Sequence, residues 1–183
     1  MRLFLALSLP EPLRARLAAL CTGLPDARWV APENLHLTLR FIGEVDGGEA
    51  RDLDAALAQV RAARPAVTLA GVDRFGSGRK LRALWAGVEP NPELDRLYRK
   101  LDHAVRDAGL APGGRKFKPH VTLARFKGDP GPRLFDYLAH HAIFRAETFE
   151  ARDFVLYSSF LSHGGAIYTA EAVYPLAPLD AAL

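Results

Sequence analysis

The stretch His36-Leu37-Thr38-Leu39-Arg40-Phe41-Ile42-Gly43 returns as His120-Val121-Thr122-Leu123-Ala124-Arg125-Phe126-Lys127-Gly128 in a chain of 183 residues. The two copies lie 84 residues apart (120 minus 36), close to half the length. Alternate side chains of a strand point to opposite faces, so residues i and i+2 share one, roughly 6.5–7 Å apart. His36 and Thr38 therefore face one way and Leu37, Leu39 and Phe41 the other; His120 and Thr122 oppose Val121 and Leu123 in the same manner. One face packs, and the other carries imidazole and hydroxyl. Each copy precedes a helical pattern and is followed, further on, by two strand patterns with no helix between them. That order predicts two similar halves related by a pseudo-twofold axis, with the two polar faces meeting around one small anionic centre.

Further strand-like runs cover residues 3–9, 67–72, 81–88, 149–157 and 166–174, bounded by Gly, Pro, Asp or Asn. Helical spacing appears in Leu13, Leu17 and Leu20 after a Pro-Glu-Pro start. It recurs from an Asp46 cap to about Arg61, from Pro92 to Ala108 with Gly109 as the stop, and over residues 132–141. Residues 75–80 and 162–165 read as hairpin connections. Gly76 and Gly78 precede a strand, whereas a phosphate cradle opens a helix, so neither glycine-rich turn is a phosphate loop. The pattern is α+β with mixed sheets, in a chain (residues 1–183) long enough for one core or two small lobes sharing an interface, each half holding one motif (36–39 and 120–123).

Hydrophobic residues make up 49% and charged residues 25%, the balance of a soluble globular protein, and no apolar run is long enough to span a bilayer. The N-terminal Leu-Phe-Leu-Ala-Leu stretch is cut short at Pro10 and reads as a buried strand, not a signal peptide. Cys21 is the sole cysteine, which excludes an internal disulfide and points to the cytoplasm. A net charge of +3 suits a polyanion gripped locally by a monomer, not a protein that coats long nucleic acid. Arginine outnumbers lysine, and arginine is the better residue for bidentate phosphate contacts.

The repeated residue types suit one chemistry. Displacement at a phosphodiester needs a base for the incoming oxygen and an acid for the leaving oxygen. Histidine serves either role near neutral pH, and threonine hydroxyls donate to nonbridging phosphate oxygens. No nucleophilic serine or cysteine is required.

Paired His-x-Thr motifs of this kind resemble those of the two-histidine (2H) phosphoesterase superfamily. Within it, residues 34–44 and 118–125 are similar to the two signatures of the bacterial and archaeal RNA 2′,3′-cyclic phosphodiesterases, historically called 2′-5′ RNA ligases. The opening strand at residues 2–7, Leu156-Tyr157-Ser158-Ser159 and Gly165-Ala166-Ile167-Tyr168 extend the likeness over nearly the whole chain. Ser158 departs from it, standing where an acidic residue is common. The resemblance implies a bilobal fold and hydrolysis of RNA 2′,3′-cyclic phosphate ends to 2′-phosphates, with tRNA fragments among the candidate substrates. It implies His36 as the acid for the leaving 3′ oxygen, His120 as the base for water, and Thr38 and Thr122 as phosphate holders. Some members also join or cleave 2′-5′ linkages, the same chemistry with a ribose hydroxyl in place of water. Arg125 matches a phosphate-contacting position, although its parity is opposite to that of His120, so it reaches the groove only if the strand bends or ends there. Arg40 has groove parity but no counterpart at Ala124, and both a phosphate contact and a surface charge are open to it.

The basic run Arg115-Lys116-Phe117-Lys118 is either an RNA-steering, base-stacking loop or a solvated one. His103, His140, His141 and His163 show no partner spacing. Histidine with threonine is a poor zinc set, so no metal and no other cofactor is expected. Two other readings stay open: a cyclic phosphodiesterase for a small nucleotide such as ADP-ribose cyclic phosphate, and an RNA-binding module without catalysis.

Overall fold

Leucines at every second position give β1 (Arg2–Ser8) one fully buried face, Leu3, Leu5 and Leu7, and the same alternation recurs across the neighbouring strands. In the computed structural model, residues 1–114, 116–162 and 165–178 are described. After β1 come α1 (Glu11–Ala18), β2 (Arg28–Trp29), β3 (His36–Glu44) and α2 (Gly47–Leu57). The chain continues through β4 (Ala66–Val67), β5 (Leu69–Phe75), β6 (Ala83–Val88), α3 (Pro92–Asp107) and β7 (His120–Arg125). It finishes with α4 (Arg133–His141), β8 (Phe149–Glu150), β9 (Asp153–Ser162) and β10 (Gly165–Pro175). The fold is α+β.

One sheet runs in the order β10-β9-β1-β3-β7-β6-β5, with β2 beside β7, while β4 and β8 pair separately. The expectation of mixed sheets is corrected in one respect: every ladder among the described strands is antiparallel, and the parallel contact Ala63–Ala177 is an isolated bridge. The connections explain this. After α1, residues 19–35 carry the chain back to the end where β1 stopped, and after α3, residues 108–119 do the same for β6. The following strand therefore starts there and runs the opposite way.

The helices cover one sheet face with apolar stripes: Leu53 and Leu57 of α2, Leu94, Leu97, Leu101 and Val105 of α3, Leu134 and Tyr137 of α4. Asp46 caps α2 in a reciprocal capping box with Glu49, and Asn91 caps α3 through Leu94 N–H, so both starts follow from sequence. No helix among the described residues is long and apolar enough to cross a membrane. Cys21 packs against the core, its thiol pushed up to about 11 by burial.

The two sequence repeats meet at the centre of the sheet. β3 and β7 pair through Leu37 and Val121, which are equivalent residues of the two motifs (121 minus 84 is 37). Antiparallel pairing of equivalent residues places a local twofold axis at that contact. Both motif strands carry a bulge at the equivalent position, and β3 has a second shift further on that leaves Ile42 extra. Leu5 pairs with Arg40 and Ala6 with Thr38, leaving Leu39 extra; Leu84 pairs with Ala124 and Trp85 with Thr122, leaving Leu123 extra.

Candidate active site

On the face away from the helices, the β3–β7 register sets His36 across from Thr122 and Thr38 across from His120. The two histidines are then diagonal neighbours, on the order of 7–8 Å apart at the backbone. The charge of one reaches the other: His120 is among the groups that lower the His36 pKa.

Each imidazole is fixed in one way. His36 Nδ1 lies 2.6 Å from the carbonyl of Asn34, and His120 Nδ1 lies 2.7 Å from that of Lys118. Asn34 and Lys118 are again 84 residues apart. A carbonyl only accepts, so Nδ1 carries hydrogen in both rings, and Nε2 is left as the reactive atom. Aromatic walls hold the rings. Phe4 and Tyr168 lie 5.0 and 5.3 Å from His36, and Phe75 and Trp85 lie 4.9 and 6.0 Å from His120. A recess beside His36 is lined by Phe4, Ser8, Glu33, Tyr157 and Tyr168. Thr38 and Thr122 are half-buried, and no hydrogen bond engages either hydroxyl among the described residues.

Both histidines titrate below the ordinary 6.5. For His36 the largest cause is desolvation; the Asn34 hydrogen bond works against it, and the charges of Arg125 and His120 reinforce it. For His120 desolvation again leads, opposed by the Lys118 carbonyl and reinforced by the Lys118 and Arg125 cations. At neutral pH the unliganded site therefore holds two neutral imidazoles beside fixed cations. A phosphodiester anion bound between them favours protonation of one.

The bulge decides where the arginines go. An extra residue at Leu123 reverses the parity beyond it, so Arg125 pairs with Ala83 on the groove face and is exposed. The equivalent extra residue at Leu39 turns Arg40 the other way. Arg40 Nε bonds Asp102 of α3 at 2.9 Å, its other nitrogens reach the carbonyls of Ala111 and Phe41, and its side chain is 10% exposed. The reading of Arg40 as a substrate contact is thus corrected: simple alternation gave it groove parity, and the bulge removes it. Phe41 takes the place pseudo-equivalent to Arg125 and is 58% exposed.

Lys118 ammonium sits 4.3 Å over the Trp85 ring and 5.6 Å over Phe75, and Phe117 stacks on Tyr98 at 4.2 Å. In that basic run Arg115 lies outside the described residues, as does His163. His103 pairs with Asp107 on α3, and His140 and His141 end α4, all remote from the groove. Alternation of side chains missed Arg28, which β2 brings beside Arg125. A two-residue strand leaves no periodic trace.

The LigT-like phosphoesterase family model matches this chain in two consecutive stretches, residues 7–85 and 87–168, and each stretch contains one His-x-Thr pair. The chain belongs to the LigT-like phosphoesterases. It is similar to the RNA 2′,3′-cyclic phosphodiesterase of Aeropyrum pernix, 35% identical over 80% of this chain and 84% of that protein. Among solved structures, a Thermus thermophilus protein, TT0787, superposes with a TM-score of 0.79 at 29% identity, covering 98% of this chain and 100% of that one. E. coli LigT complexed with 3′-AMP gives a TM-score of 0.76 at 27% identity, covering 96% of each chain.

Proposed function

We propose that this LigT-like phosphoesterase hydrolyses RNA 2′,3′-cyclic phosphate ends to 2′-phosphates by metal-independent acid–base catalysis shared between His36 and His120. The observation that carries the reading is the pair of imidazoles related by the β3–β7 axis, each tied through Nδ1 to the carbonyl two residues before it. Two reactive Nε2 atoms then face one groove, with Thr38, Thr122 and Arg125 around them. Relatives named RNA 2′,3′-cyclic phosphodiesterase support the substrate class.

In the proposed reaction His120 Nε2 takes a proton from water as the water oxygen bonds to phosphorus. The bond from phosphorus to the 3′ oxygen breaks, and His36 gives its Nε2 proton to that oxygen. The product keeps the phosphate on the 2′ oxygen. Thr38 and Thr122 donate to nonbridging oxygens, and Arg125 offsets the charge that builds on them. The residues hold together as one domain over 1–183 with two pseudo-repeated lobes, working as a monomer in the cytoplasm, where the lone Cys21 stays reduced.

Incubation with an oligonucleotide ending in a 2′,3′-cyclic phosphate, followed by separation of 2′- from 3′-phosphate products, tests this reading. A 2′-phosphate formed equally well in excess chelator is expected. A 3′-phosphate, no product, or activity abolished by chelator and restored by zinc would overturn it.

A further inference from the structure

Arg28 and Arg125 are directly opposite each other in the β2–β7 ladder. Directly opposed residues share a face, with Cβ atoms about 4.5–5.5 Å apart, and like charges there are destabilising. Yet both side chains are exposed, and among the described residues no carboxylate or hydrogen-bond acceptor engages either one. The backbone register thus sets two arginines next to each other on one face with no counterion among the described residues, which makes the pair a place for an anion from outside the chain. Arg79, Lys80 and Arg82 line a separate pocket at the β5–β6 turn, just before Ala83, the partner of Arg125 on β6. At the pseudo-equivalent exit, Phe41 stands for Arg125 and Pro112 occupies the position of Arg28 (28 plus 84), so that exit offers no cation pair.

We infer that Arg28 binds the phosphodiester immediately upstream of the reacting cyclic phosphate, and so favours oligonucleotides over mononucleotides. The inference rests on the proposed function and names a specificity residue for it. A chain with a 2′,3′-cyclic end extends only through its terminal 5′ oxygen. The next phosphate therefore lies one nucleotide from the reacting centre, and it needs a cation adjacent to, but distinct from, the one at that centre. Arg125 is felt electrostatically by both histidines and Arg28 is its outward neighbour, which is the order this requires. A planar fork donating two hydrogen bonds suits a phosphodiester oxygen pair.

The experiment compares kcat/KM on a cyclic-ended tetranucleotide and on 2′,3′-cyclic AMP, which has no upstream phosphate. Arg28→Ala lowers the ratio of the two values about tenfold, mostly through KM, as expected for one lost charge-assisted contact. It also flattens the dependence of log KM on log salt for the tetranucleotide by about 0.7, the single-strand value for one phosphate. Arg99→Ala, the same charge change on the exposed face of α3, leaves the ratio at the wild-type value. A ratio and slope unaltered in Arg28→Ala, or lowered equally by Arg99→Ala, overturns the role of Arg28 while the hydrolase reading stands. A wild-type protein inactive on both substrates overturns the hydrolase reading, and this one with it.

Discussion

The His36 half and the His120 half of the central seam share a backbone plan and differ in what decorates it. In both, a histidine donates Nδ1–H to the carbonyl two residues earlier, a threonine follows on the same face, and a bulge falls at the fourth residue of the motif. Beyond the bulge the halves part: Arg40 and Phe41 on one side correspond to Ala124 and Arg125 on the other. Symmetric bones present two imidazoles in equivalent settings, the pair proposed to carry the protons. Asymmetric ends give one exit an arginine pair and the other an exposed phenyl ring, a difference that on the proposed reading would orient a substrate with only one way to point.

The shared part predicts the largest effect. His36→Ala and His120→Ala should each reduce kcat on a cyclic-ended oligonucleotide by about 10²–10⁴, because each removes one proton transfer. The double variant should fall little further than either single one, since an acid without its base does little. Either single variant turning over at near the wild-type rate would end the idea of two equivalent carriers.

The second effect concerns stability and the half that buries an ion pair. Burial alone would raise the Asp102 carboxyl, but the Arg40 guanidinium and the Gly113 N–H outweigh it and hold the group below the usual 3.8. Its side chain is 18% exposed and that of Arg40 10%. Asp102→Ala leaves Arg40 facing α3 without its anion and should cost on the order of 3 kcal/mol, read in urea unfolding. Leucine at both 40 and 102 should recover most of the loss, as Ala124 shows that the equivalent place needs no charge. A depressed carboxyl stabilises above its unfolded value, and this is lost as pH falls through the folded one. The deficit of Asp102→Ala should therefore narrow in strong acid. An equal deficit at all pH values would assign the loss to packing.

These residues also mark how far the sequence was legible. Alternation at period two put His36, Thr38, His120 and Thr122 on one face, because nothing interrupts the strand between them. It failed at Arg40 and raised the bend question at Arg125, since one extra residue in a bulge reverses the side chains that follow it, and neither Leu39 nor Leu123 signals its presence. Helix starts were readable from the Asp46 cap and from Pro92, because both signals are local. Pairing of β9 with β1 was not, because it joins residues about 150 positions apart through packing alone. β2 escaped notice for its brevity, and Arg28 with it.

Arg125 and Phe41 occupy equivalent places, so exchanging their character sharpens the comparison further. Arg125→Met should lower kcat/KM roughly 10–100-fold, the range of one charge-assisted contact to a phosphate. Phe41→Leu should move kcat/KM by less, and through KM, if the ring only forms a wall of the groove. Equal losses in kcat from both would mean that the two exits do the same work.

The smallest effect tests which histidine is the base. Lys118 stands where the other half has Asn34, and its cation helps depress the His120 pKa. Lys118→Met keeps the backbone carbonyl that orients His120 and an apolar stem over Trp85, while removing the charge. The pKa of His120 must then rise, with His36 little affected, because Lys118 is not among the groups that shift it. A base has to be deprotonated, so with His120 in that role the acid limb of the kcat/KM profile moves to higher pH and the alkaline limb stays. An acid has to be protonated, so with the roles exchanged the alkaline limb moves up instead. Measuring kcat/KM against pH for wild type and Lys118→Met on 2′,3′-cyclic AMP separates the two, since kcat/KM reports the ionisations of the free enzyme. Movement of the acid limb assigns the base to the half of the seam that carries the extra cation. That follows from the physics, because a neighbouring positive charge keeps an imidazole neutral and ready to accept a proton.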